Sequence, residues 1–352
     1  MRLLAHSPVY PLRLQPKFDH RLWGGQRLAR WLGLPEPLPD HLAEIWLVYA
    51  ENPILNGELA GKTLGEAAQE LGERLLGGQS IPRYGLDFPQ LAKFIDANAP
   101  LSIQVHPDDA YAHTVEAHTR FHGKTEAWYI LHAEPGATLI YGLQRPSSRE
   151  EFARAVEEGW LKELVHYLPV QAGDVIFVPA GTLHAINEGV MLFEIQQKSD
   201  LTYRVYDYNR RGPDGKLREL HLEKALDVIR YEPPAQEQIP PIELEPGRDL
   251  LVACPYFALE RVRLAEEQAF ATRPTSFETW TVIEGAATVA GEKLTLGQSL
   301  VLPARLGDYT IRPGGKATLL RTYYPHLHDD LIAPLRRLGY RDERIALTVK
   351  SI

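Results

Sequence analysis

The chain has 352 residues, 44% hydrophobic and 24% charged, which suits about two domain cores of an ordinary soluble protein. Its formal net charge of −8 makes nucleic acid and anionic membranes poor partners, while leaving room for a local basic pocket that takes a phosphorylated small molecule. Cys254 is the single cysteine, so no disulfide can close within the chain, and a reducing cytoplasm is the expected setting. Residues 1–8 hold only a three-residue apolar run and are expected to carry no signal peptide; no stretch suits a membrane helix.

Residues 8–60 are proline-rich and irregular. Within them, 43–49 alternates so that Glu44, Trp46 and Val48 share one strand face, and Trp23-Gly24-Gly25 reads as a loop with an aromatic anchor. Residues 63–76 read as a helix, opened by a Thr63/Glu66 capping box and ended by Gly77-Gly78. An apolar segment at 88–95 leads into 101–106, a short strand. There Ser102, Gln104 and His106 fall on one face and Leu101, Ile103 and Val105 on the other. A polar face of that kind suits either a pocket lining or a half-exposed edge strand. Further strands are expected at 125–131, 137–141, 175–178, 190–195 and 203–206, with helices at 147–168, opened by Ser148 and Glu151, and at 222–229. Residues 209–219 form a charged, turn-rich loop, and the proline-rich 233–247 reads as a linker. Beyond it, 256–324 reads as short strands, followed by a short surface helix at 331–338 and a strand-like end.

Chemistry-bearing residues recur on these strands. If 123–128 is a strand, Lys124, Glu126 and Trp128 share a face, so that an acid and a base enter one pocket. Residues 173–187 read Gly-x5-Pro-x-Gly-x2-His-x2-Asn, with Gly181 allowing an unusual backbone angle and Pro179 setting the corner. This spacing resembles the second conserved motif of the cupin β-barrels, which presents a histidine to a metal inside the barrel.

Taken together, the segments 17–19, 23–24, 43–46, 104–109, 123–126, 179–184 and 199–204, in this order, resemble the type I phosphomannose isomerases in their short bacterial form. The likeness weakens after about residue 230. It implies a mainly β protein with two cupin-type β-barrel (jelly-roll) domains and a few helices packed on the N-terminal one. The expected boundaries are 1–232 for the catalytic metal-binding domain, 233–247 for the linker and 248–352 for a C-terminal domain. That last domain repeats Gly-x5-Pro at Gly297 and Pro303 without the following histidine, and is expected to be a metal-free barrel with a packing role.

The resemblance also implies one zinc ion per chain on Gln104, His106, Glu126 and His184, a neutral-rich nitrogen and oxygen set that other divalent metals would also accept. Arg204 matches an arginine of catalysis or phosphate recognition, and Lys124 a lysine that binds phosphate or moves protons. Glu194 and Asp200 are the carboxylates open to the role of base; Trp23, Glu44 and Ser102 fall on pocket positions. The implied reaction interconverts mannose 6-phosphate and fructose 6-phosphate through an enediol, in a cytoplasmic monomer or homodimer. Other readings are an isomerase of unphosphorylated mannose and a sugar-binding or regulatory cupin whose metal is structural. Some family members carry a histidine where this chain has Gly123, and the long helical insertion of larger relatives is absent. His113, His118 and His122 lack a catalytic turn or an acid partner and are read as surface histidines, as are His326 and His328.

Overall fold

The computed structural model describes residues 9–212 and 215–351. The segment expected to carry no signal peptide, together with Pro213 and Asp214 of the charged loop, lies outside the described residues. By contacts the chain divides into two units, each discontinuous in sequence. A middle unit takes Phe18–Ile45 and Lys93–Ile239; a terminal unit takes the chain up to Lys17, Trp46–Ala92 and everything from Pro240 on. Among the described residues, no helix is long and apolar enough to cross a membrane.

Both units are antiparallel double-sheet structures, so the protein is mainly β, as the strand periodicity and the cupin-type turn lead one to expect. In the middle unit one sheet runs Tyr203–Tyr206, Ile103–Val105, His184–Ile186, Thr138–Leu143, Val165–Pro169. The other, which lies mainly in this unit, runs Lys17–Gly25, Leu42–Val48, Gln90–Ala97, Val190–Gln197, Glu126–Ala133, Val175–Val178. Trp128, Ile130, Ile176 and Leu192 of the second sheet share a buried cluster with Leu139, Tyr141, Leu168 and Ile186 of the first, which places one core between the sheets.

The outer face of the first sheet is covered by helices Arg149–Glu157 and Leu222–Val228. Ile103 and Val105 pack there with Phe152 and Leu226, each burial of this size contributing roughly 1.5–3 kcal/mol. The apolar face of the 101–106 strand is thereby committed outward, and Gln104 is left to the interior.

The turn before His184 is built as its composition demands. Gly181 has φ +85, its N–H donates to the His106 carbonyl at 2.8 Å, and a Cβ there would meet the Val228 carbonyl oxygen at 2.8 Å.

Several local expectations are corrected. Trp23-Gly24-Gly25 is not a loop but the end of the Lys17–Gly25 strand; a Cβ on Gly24 would fall 2.3 Å from the His41 carbonyl oxygen, so the glycine permits close strand approach. The 63–76 helix keeps its capping box but breaks into Leu64–Leu71 and Glu73–Leu76 at Gly72, whose φ of 55 and ψ of −129 suit glycine alone. The 147–168 helix stops after Glu157, because Gly159 takes φ 84; Leu161 and Leu164 then belong to a short 3₁₀ turn and its end, and Val165 starts a strand. Within 233–247, Ile242–Glu245 forms a strand. Near the C-terminus a wide helical turn, Leu327–Ile332, leads into helix Ala333–Arg337, and a further helix, Asp342–Ala346, replaces the expected strand-like end. Asp342 and Glu343 sit in its first turn, where the helix dipole favours them.

The terminal unit pairs a seven-stranded sheet with a four-stranded one around Trp280, Leu300, Leu319 and Ile311. A buried ionic network runs through its interior. Arg321 meets Glu278 at 2.5 Å and Glu260 at 3.2 Å, Arg248 meets Glu260 at 2.8 Å, and the hydroxyls of Tyr323 and Tyr309 donate to Glu260 and Glu278.

Burial opposes ionisation of Glu260, but Arg321 and Arg248 outweigh it and hold the carboxyl down at about 2. The unfolded value is about 4.3, so the pairing stabilises fully above that pH and is lost as pH falls toward 2. Glu260→Gln is expected to cost about 3–5 kcal/mol at neutral pH, by leaving buried Arg321 short of a carboxylate, and to flatten the acid limb of stability between about pH 4.3 and 2. Urea unfolding across that range checks both; an acid limb of unchanged slope contradicts the assignment.

Candidate active site

Strand pairing in both sheets brings the site together in the middle unit. Gln104 pairs across the sheet with His184 on one side and with Arg204 on the other. From the facing sheet Glu126 lies opposite Gln196, and Glu194 opposite Trp128. His106 follows the Gln104 strand directly. The two sheets thus contribute to one polar cluster between them.

Within it, Glu126 Oε1 lies 3.3 Å from His184 Nε2, and Glu126 Oε2 3.6 Å from His106 Nε2. All three side chains are about 99% buried. Each imidazole has its outer nitrogen committed: His106 Nδ1 sits 2.8 Å from the Leu201 carbonyl, and His184 Nδ1 2.8 Å from the Thr182 carbonyl. A carbonyl can only accept, so each Nδ1 carries the proton and each Nε2 lone pair faces inward. Burial, with the Lys124 ammonium beside it, drives the His106 pKa well below the ordinary imidazole value; burial likewise brings His184 down to about 4. Both rings are therefore neutral, the form that binds a metal.

The donor set passes a test for fit to a metal. His106, Glu126 and His184 offer ligand atoms within 4.8 Å of one another. Glu126 Oε2 is buried and ion-paired with Lys124 at 3.0 Å, yet receives no hydrogen bond of good geometry. The Lys124 Nζ also lies 2.9 Å from His106 Nε2, so a cation already stands among the inward lone pairs. Gln104 joins the cluster through its amide, which lies 3.4 Å from His184 Nε2 and accepts from Ser102 Oγ at 3.3 Å. An amide turned about its last bond would present its oxygen instead.

The other expected site residues take distinct places. Glu194 is buried, accepts from Trp128 Nε1 at 2.9 Å and is ion-paired with Lys93 at 3.2 Å. Glu44 meets the same lysine at 3.5 Å. Asp200 is exposed. Trp23 is buried in the apolar core with Ile95, Trp128 and Tyr141. Arg204 is half-buried on the Tyr203–Tyr206 strand, donates to the Glu219 carbonyl at 3.0 Å, and keeps a buried Nε without a partner. Gly123 precedes Lys124 for a steric reason. A Cβ there would come within 2.4 Å of the Asp108 carbonyl carbon, so no side chain, histidine included, fits that backbone.

Three charged residues that contact the expected site residues escaped the sequence reading. Lys93 sits inside the apolar-looking Gln90–Ala97 strand, and the only signal was a lysine where the strand is otherwise buried throughout. Burial alone would depress its ammonium, but Glu194, Glu44 and Glu126 together raise its pKa above the ordinary value. Arg210 and Arg218 belong to the charged loop, and both bear on Arg204. Arg210 bonds the Pro100 carbonyl at 2.6 Å, two residues before Ser102, and both arginines pair with Asp207. Burial, and after it the neighbouring Arg218, lower the pKa of Arg204, while Asp207 opposes them.

The geometry has counterparts among known proteins. Residues 12–137 match the family described as phosphomannose isomerase type I, catalytic domain, and residues 248–324 match mannose-6-phosphate isomerase, cupin domain. The chain is 36% identical over 316 residues to the probable mannose-6-phosphate isomerase GmuF of Bacillus subtilis, covering 86% of this chain and 96% of that one. It is 37% identical over 302 residues to the mannose-6-phosphate isomerase of Streptococcus mutans, covering 83% and 92%. The crystal structure of the mannose 6-phosphate isomerase from Bacillus subtilis superposes with a TM-score of 0.78 at 34% identity, over 89% of this chain and 99% of that chain. A catalytic-domain match and relatives aligned over nearly their whole length agree with the buried imidazole–carboxylate cluster: this chain belongs to the type I phosphomannose isomerases.

Proposed function

We propose that the chain is an isomerase that interconverts mannose 6-phosphate and fructose 6-phosphate through an enediol, with one zinc ion held by His106, Glu126, His184 and the amide oxygen of Gln104. The observation that carries the reading is the pair of neutral imidazoles whose Nδ1 protons are tied to backbone carbonyls, leaving both Nε2 lone pairs aimed at a buried carboxylate. When bound, zinc would supply positive charge beside the sugar oxygen that becomes anionic during proton transfer.

The protein's own groups cover the remaining needs. Moving a proton between C2 and C1 requires a base fixed in orientation and shielded from water. Glu194 suits this: its two oxygens are held by Trp128 and Lys93, while Asp200 is exposed. Lys93, raised in pKa and shared with Glu44, keeps Glu194 oriented. Lys124 stands at the cluster and can steady an oxyanion or pass a proton. Arg204 with Arg210 and Arg218 gives the basic patch that a phosphate needs. Guanidinium groups recognise phosphate through paired donors, and the unpartnered Nε of Arg204 is one such donor. This patch favours a phosphorylated sugar over plain mannose. Ser102 lies beside Gln104, where its hydroxyl orients the amide. The pocket roles of Trp23 and Glu44 are carried as packing behind Trp128 and as a partner for Lys93.

Three predictions test this reading. In a coupled isomerase assay on zinc-loaded protein, mannose 6-phosphate should turn over far faster than mannose, and a chelator should abolish the activity. Arg204→Ala and Arg218→Ala should each lower kcat/KM for the phosphorylated sugar by about 10- to 100-fold, the value of a charged hydrogen bond, with little effect on any mannose turnover. Equal rates on both sugars would contradict the phosphate assignment. Glu194→Gln should reduce kcat by about 10²- to 10⁴-fold with zinc content unchanged, while Asp200→Asn stays near wild type. The reverse ranking would move the base to Asp200.

A further inference from the structure

A second group of ligand-type side chains comes together away from the cluster: Asp109, His113 and His122. Asp109 opens helix Asp109–Thr114, capped by Asp108, so that His113 lies one turn on along the same face. The chain then folds back and sets His122 Nδ1 2.9 Å from His113 Nε2, with the rings edge-on at 4.9 Å. The carboxylate and the two imidazoles bring ligand atoms within 4.8 Å of one another, the same spacing that His106, Glu126 and His184 satisfy. The acid partner that the histidines lack in the sequence reading is Asp109. His118 takes no part; it is exposed and faces Glu116 at 3.8 Å.

The site is fixed before any ion arrives. Asp109 Oδ1 accepts from Gly123 N at 2.9 Å and from Gln197 Nε2 at 3.1 Å, and Ser199 Oγ donates to the His122 carbonyl at 2.7 Å. Gly123 packs against the backbone of Asp108 and Asp109 with no room for a side chain. Two imidazole nitrogens at 2.9 Å can share only one proton. A divalent ion in its place would use both lone pairs, at the cost of opening the pair to about 3.3 Å for ordinary metal–nitrogen bonds.

We infer that Asp109, His113 and His122 form a second divalent-cation site. Two imidazoles and one carboxylate select borderline ions such as Zn²⁺, Co²⁺ or Ni²⁺ over Mg²⁺ or Ca²⁺, with solvent completing the coordination. His113 is exposed, so this site is the weaker and more exchangeable of the two. Its ion closes the loop between residues 109 and 122 and, through Asp109 and Gly123, stiffens the segment that delivers Lys124 and Glu126 to the cluster.

Equilibrium dialysis of the full chain against Co²⁺, with bound cobalt counted by atomic emission and its visible spectrum recorded, tests the inference. Wild type is expected to bind two equivalents. His113→Ala and His122→Ala should each bind one and keep isomerase activity, and His106→Ala should lose the other equivalent while keeping the one that depends on His113. The inference is overturned if His113→Ala and His122→Ala bind as much cobalt as wild type, or if wild type binds one equivalent that His106→Ala abolishes. A single equivalent that His113→Ala abolishes and His106→Ala spares would support this site and count against the metal reading of the main cluster.

Discussion

A carboxylate and two neutral imidazoles buried between two sheets are the arrangement on which the middle unit turns. Burying Glu126 costs several kcal/mol unless a cation answers it, and here the answer is Lys124 at 3.0 Å together with a cluster shaped for a metal. The strand register follows from this need. Gln104 must lie opposite His184, and Glu126 must face them from the other sheet; a one-residue slip would send each of these side chains to the wrong face. The Gly181 turn, the helices over Ile103 and Val105, and the Nδ1 contacts to Thr182 and Leu201 all hold that register in place.

The two units resolve the problem of a polar interior differently. In the middle unit the interior side chains converge on a candidate metal site. In the terminal unit the guanidinium of Arg321 supplies the cation, Glu260 and Glu278 answer it, and two tyrosine hydroxyls donate to those carboxylates. In this network each charge has its partner, and Asp308 stands five residues after Pro303 where the other turn places His184.

Much of this was legible in the chain. Alternation in 101–106 sorted Gln104 from Ile103 and Val105 correctly, because strand sterics leave only two faces. The Gly-Pro-Gly-His spacing announced the turn before His184, because only glycine accepts the backbone angle found at Gly181. What stayed hidden depends on contacts distant in sequence. Lys93 looks like an error in an apolar strand until Glu194 and Glu44 are seen beside it, 101 and 49 residues away. Arg210 and Arg218 read as solvated loop charges until their positions beside Arg204 are known. Helix ends were misjudged where apolar spacing outran a glycine, at Gly72 and Gly159, since the spacing persists in the turns and strands that follow.

The central claim is that His106, Glu126 and His184 bind the functional metal through inward nitrogen and oxygen atoms. X-ray absorption at the zinc edge, on protein loaded with one equivalent of zinc, tests it most directly. The account predicts two imidazole shells and oxygen donors at about 2.0–2.2 Å, with the imidazole signal halved in His184→Ala. A spectrum of oxygen ligands alone, or one that His184→Ala leaves unchanged, would contradict it.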